Sequence, residues 1–184
     1  MNGGIAKMRT GGAAVKTGSK HPSPLHTAAL CVRLVFFSEK ALYSVFLNNA
    51  HMFNLACMFV VTLFIPYRDM EGKVAPAGAD GILEGVVFSM IFIGLLALYL
   101  PKTMPVFLGF LRVMLGFEIM SLFLPLSFLV PPQYLKIFHT VFLAWYLSLV
   151  VYAYSRIRGF GYVRSTVIVF LVFIFLMFIP ALFA

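Results

Sequence analysis

Long apolar runs, broken by short clusters of charge and proline, occupy most of this chain. A helix needs about 20 mostly apolar residues to cross the hydrocarbon core, because each residue rises about 1.5 Å and every backbone polar group there must be paired within the segment. Five windows approach that length: His51 to Pro66, Ile82 to Leu100, Val106 to Pro125, Tyr134 to Tyr154 and Ser165 to Ala184. The first is short unless it extends back through Asn48 and Asn49. The pattern predicts an all-α fold, a polytopic membrane bundle of five transmembrane helices forming one domain over residues 49–184.

A sixth apolar stretch, Leu25 to Leu47, carries Arg33, Glu39 and Lys40 near its centre. Such charges cost about 2.5–3.5 kcal/mol each at mid-membrane. Arg33, Lys40 and Ser44 recur at helical intervals and share one stripe. Residues 25–48 therefore read as an N-terminal amphipathic interfacial helix, either a surface that senses membrane or partner, or a lid packed on the bundle. Residues 1–24, rich in Gly, Ala, Thr, Ser and Lys and closed by Pro22 and Pro24, cannot bury enough apolar area to offset chain entropy. They are expected to form a disordered basic cytoplasmic tail. No apolar core follows their charges directly, so they do not read as a cleavable signal.

Composition strengthens the membrane assignment: 62% of residues are hydrophobic and 11% charged, with a mean hydropathy of +1.00. The net charge of +8 reports topology before it reports nucleic acid, because Lys and Arg are retained on the cytoplasmic side. With the N-terminus inside, Lys7, Arg9, Lys16, Lys20, Arg33, Lys40, Lys102, Arg156, Arg158 and Arg164 all fall inside, and only Arg68, Lys73 and Lys136 fall outside. The expected location is a cell membrane of the bacterial inner-membrane kind, with the N-terminus cytoplasmic and the C-terminus outside. The expected partners are the lipid bilayer and other membrane proteins in a hetero-complex, or further copies in a homo-oligomer, and not nucleic acid.

Ionisable groups inside a bilayer are the first places to look for function. At 100° per residue, Gly109, Arg112 and Gly116 share a face of the third window, where a neighbouring helix can approach closely. Glu118 lies off that face and cannot pair with Arg112 along it. Counting from the outer ends of the third and fourth windows brings Glu118 and His139 to similar depth, so the two can hydrogen-bond if those helices touch. Together these five residues are the candidate helix-packing or partner-binding set. The loop Ser155 to Ser165 adds Arg156, Arg158 and Arg164 as candidate lipid-headgroup contacts or as a topology-fixing turn. Tyr134, Tyr152 and Tyr154 fit an interfacial belt, whereas His51 and Lys136 fit the membrane interface. Cys31 and Cys57 have no metal-like spacing and read as buried thiols. Phosphate-cradling, paired-histidine and nucleophile-elbow motifs are missing from the sequence, so neither catalysis, cofactor nor metal is expected.

The last third of the chain, FLAWYLSLVVYAYSRIRGFGYVRSTVIVFLVFIFLMF, sets an aromatic-rich span, a basic glycine-containing turn and a very apolar span in succession. With five spans and a cytoplasmic N-terminal region, it resembles the Yip family of small membrane proteins and its bacterial relatives. The resemblance implies a non-enzymatic protein that organises membranes or partners. The N-terminal region here is short and basic, and no functional residue carries over. The expected function is a non-catalytic membrane subunit or scaffold; the alternative is a small oligomeric transporter or proton-coupled channel using Glu118 and His139.

Overall fold

The computed structural model describes residues 22–75, 78–101 and 103–183, and gives only the backbone course of 78–80 and 179–183. The expected tail, residues 1–24, lies outside the described residues up to 21. Seven α-helices follow in order: α1 (Pro24–Val35), α2 (Glu39–Leu47), α3 (Met52–Leu63), α4 (Gly78–Leu98), α5 (Met104–Phe117), α6 (Leu135–Arg158) and α7 (Tyr162–Phe183). Short 3-10 turns lead into α3 and α6, and a longer 3-10 segment, Glu118–Leu129, continues α5.

Among the described residues, three helical stretches are long and apolar enough to cross a membrane: Gly81–Leu98, Met104–Leu129 and Pro132–Arg158. The described part of α7, Tyr162–Phe178, is apolar but shorter. The first window departs from the expected pattern as well. Pro66 disfavours helical backbone just before it, and α3 stops at Leu63, giving 12 residues that rise only about 18 Å. It approaches a full span only together with α2, from which Asn49–Leu63 is bent by 85°.

The stretch expected as one amphipathic helix over 25–48 is instead two helices. Ser38 caps α2 by accepting from the Ala41 N–H at 3.4 Å, and Phe37 turns the chain at φ 59°. Neither is compatible with continuous helix. The periodicity itself is used: Thr27, Leu30, Cys31, Leu34 and Val35 on α1, and Ala41, Leu42 and Val45 on α2, are buried against the bundle. Arg33 and Lys40 remain exposed on the opposite side. The Trp145 indole donates to the Val35 carbonyl at 3.3 Å, tying the end of α1 to α6.

α5 is the hub. Every residue from Gly109 to Phe117 except Leu111 is buried, with α1, α2, α3, α4 and α6 packed around it. Edge-to-face pairs Phe110–Tyr154 and Phe117–Tyr146 join it to α6. The outside of the bundle is also apolar, with Leu83, Val87 and Leu98 on α4 and Leu171, Phe175 and Phe178 on α7 exposed. That is the exterior a bilayer solvates and water does not.

Between α3 and α4 a small antiparallel hairpin pairs β1 (Tyr67–Arg68) with β2 (Val74–Ala75). Its turn is held by Asp69, whose carboxylate accepts from the Glu71 and Lys73 N–H groups, and by Gly72 at φ 85°. The hairpin is stapled to the bundle: the Arg68 N–H donates to Ser127 Oγ at 2.7 Å. Trp145→Phe, which keeps an aromatic ring but removes the donor to Val35, is expected to lower stability by about 1 kcal/mol, read as an earlier thermal transition in detergent.

Candidate functional site

The last carbonyls of an α-helix have no partners within it and must find donors elsewhere. For α2 the donor is Arg112. Its Nε donates to the Val45 carbonyl at 3.0 Å, and its two terminal nitrogens donate to the Phe46 carbonyl and to Asn49 Oδ1. The side chain is 3% exposed. A guanidinium at a helix C-terminus also meets the negative end of the helix dipole, so its charge is stabilised without a carboxylate. Glu118 is not its partner.

The two glycines explain how the α5 backbone reaches that position. A Cβ on Gly109 would lie 2.6 Å from the Phe46 ring and 2.9 Å from the Phe46 carbonyl oxygen; on Gly116 it would meet Leu34 at 3.1 Å and Cys31 at 3.5 Å. The Gly109, Arg112 and Gly116 face is therefore occupied by the chain's own α1 and α2. Beside it lies a polar cluster that hydropathy did not reveal. Thr27 Oγ1 and His51 Nδ1 are 2.9 Å apart, and Asn54 Nδ2 donates to Thr27 Oγ1 and to the Pro22 carbonyl. His51, expected at the membrane interface, is 2% exposed. Its only sequence signal is the one-turn spacing to Asn54.

Glu118 stands where α5 gives way to the 3-10 segment. With three residues per turn, side chains at i and i+3 eclipse, so Glu118, Ser121 and Leu124 line one edge of a lateral crevice. Ser127 continues the same edge to the hairpin. The crevice, about 380 Å³, also takes in Tyr146 and His139 of α6 and Phe88 of α4. The Tyr146 phenol and the Glu118 carboxyl line the same crevice.

The expected contact between Glu118 and His139 does not form. His139 Nε2 lies 2.6 Å from the Arg68 carbonyl; a carbonyl only accepts, which assigns the Nε2–H tautomer. His139 thus anchors the hairpin over the crevice while Glu118 faces Tyr146. Their shared cavity follows from their matched depth, but the hairpin that claims His139 could be found only from the Asp69 and Gly72 turn pattern.

The three loop arginines separate. Arg156 lies 3.7 Å from Glu39 and over the Tyr152 ring, joining α6 to α2. Arg158 and Arg164 both lie over Phe160, at 4.9 and 4.1 Å from its ring centroid. Cys31 is buried as expected, but Cys57 is exposed on α3. Among the described residues no three His, Cys, Asp or Glu side chains gather as a metal site.

Gly109→Ala is expected to cost about 1–3 kcal/mol from overpacking against the Phe46 backbone, and Gly116→Ala less, because the Leu34 methyl can move. Arg112→Met orphans the acceptors at the end of α2, at about 1–3 kcal/mol each. Arg112→Lys restores the charge but not the fork. Both Arg112 variants should melt earlier and be cut faster by trypsin at Arg33 and Lys40. No family model, curated protein or solved structure matches this chain.

Proposed function

We propose that this protein is a non-catalytic, polytopic membrane component that assembles with other membrane proteins through the lateral crevice at Glu118. The observation that carries this is the contrast between Arg112 and Glu118. Arg112 is completed inside the chain by α2, whereas Glu118 faces a crevice on the flank of the bundle with the Tyr146 phenol beside it. A carboxyl at membrane depth is stabilised by hydrogen bonds from a neighbouring helix, and a crevice of about 380 Å³ has the volume to admit a polar side chain from one. The resemblance to the Yip family implies the same non-enzymatic role.

The proposed topology has five crossings, with the bent α2–α3 pair as the first and α7, 22 residues and about 33 Å long, as the last. Two meetings support it. Arg68 touches Ser127 and His139 at one end of the bundle, and Glu39 approaches Arg156 at the other, as alternating crossings require. The basic residues of the second end then face the cytoplasm, inside a bacterial-type inner membrane, with the N-terminus in and the C-terminus out.

Glu118→Ala is expected to abolish co-purification of partner chains from mild detergent while leaving the thermal transition of the isolated protein in place. Identical complexes in wild type and variant would overturn the proposal. A second role, proton-coupled transport by an oligomer, is favoured by the gathering of Glu118, Tyr146 and His139 around one cavity. It predicts pH-dependent flux in proteoliposomes that Glu118→Gln removes; flux that survives in the variant excludes it.

A further inference from the structure

We infer that the turn joining α6 to α7 is a binding site for a phosphate group, built from Arg158, Arg164, Tyr154 and Ser165 around the Phe160 ring. Gly159 ends α6 in a left-handed conformation, φ 68°, and Phe160 is then fixed by its carbonyl, which accepts from Ser155 Oγ at 2.8 Å. The ring becomes a platform. Arg158 and Arg164 converge on it from the two helices, and Tyr154 lies against it with ring centroids 6.4 Å apart. Two like charges gathered on one small ring repel each other, and neither has a carboxylate partner among the described residues.

The hydrogen-bond inventory points the same way. Among the described residues, the buried side-chain polar atoms without a partner are the Tyr154 hydroxyl, Arg158 Nε and Ser165 Oγ, and all three lie in the last turn of α6 or the first turn of α7, on either side of this connection. Tyr154 and Ser165 are each 0% exposed. Each of the three atoms can donate, so what the turn lacks is acceptors and negative charge together. The first N–H groups of α7 open onto the same turn and add a positive helix end. A phosphate group supplies several acceptor oxygens and the compensating charge, and guanidinium pairs match its geometry. Arg156, already paired with Glu39 on the other side of α6, is not part of the site.

The phosphate can belong to a lipid headgroup or to a free anion, and one experiment separates them. The full chain is reconstituted in nanodiscs of a galactolipid, which carries no phosphate. One arm adds a minor fraction of phosphatidic acid and counts retained lipid by native mass spectrometry; the other adds inorganic phosphate and follows the thermal transition. Saturable retention of one phosphatidic acid per chain assigns the lipid, and stabilisation by inorganic phosphate assigns the free anion. In either arm Arg158→Gln and Arg164→Gln should each weaken binding by about tenfold, whereas Arg156→Gln should not. Ser165→Ala, a smaller change, should weaken it in the same direction. No saturable binding by the unmodified chain in either arm, or an equal loss in Arg156→Gln, would overturn the assignment.

Discussion

A charged side chain placed inside an apolar bundle has to be answered by polar groups, and here the answer is the unsatisfied end of another helix. Arg112 and the carbonyls of Val45 and Phe46 solve each other's problem: the helix end gains donors, and the guanidinium gains acceptors and a favourable dipole. The rest of the architecture is arranged around that exchange. α2 can stop within the bundle only because its carbonyls are capped there, and the 85° bend into Asn49–Leu63 follows from the stop. Gly109 lets the two backbones come close enough for the guanidinium to reach. The bond is therefore structural in origin, although an isolated arginine at that depth invites a functional explanation.

The helix that carries Arg112 changes character six residues later. From Gly109 to Phe117 it is α-helical and almost wholly enclosed; from Glu118 it is a 3-10 helix whose eclipsed edge lines the crevice. A 3-10 run of 12 residues is unusual, since its hydrogen bonds are poorer than those of an α-helix. Pro125 contributes, because it has no N–H to give to the ladder. The outcome is a division of labour along one continuous segment: the part before Glu118 holds the fold, and the part from Glu118 onward presents polar groups to a cavity also lined by Tyr67 of the β-hairpin.

How much of this was legible in the sequence depended on the range of the interaction. The shared face of Gly109, Arg112 and Gly116 follows from helical spacing alone, as does the buried stripe from Thr27 to Val35. What meets that face could not be read, because it depends on where α2 ends, and chain endings within a bundle are set by contacts distant in sequence. Two local signals are present in the sequence. Ser38 followed by Glu39 is a helix-start pattern that divides the 25–48 stretch, and Glu118, Ser121 and Ser127 are separated by multiples of three residues, the repeat of a 3-10 edge. Arg156 and Arg158 have different neighbours for a simple reason: alternate residues on a helix point to opposite sides.

The partners of the Arg112 clasp are separated by 67, 66 and 63 positions, and the chain is made from its N-terminus. When α2 emerges from the ribosome, the residue that caps it has not yet been synthesised, and its terminal carbonyls can be satisfied only by water or headgroups. The end of α2 therefore gains its side-chain cap only once α5 is present.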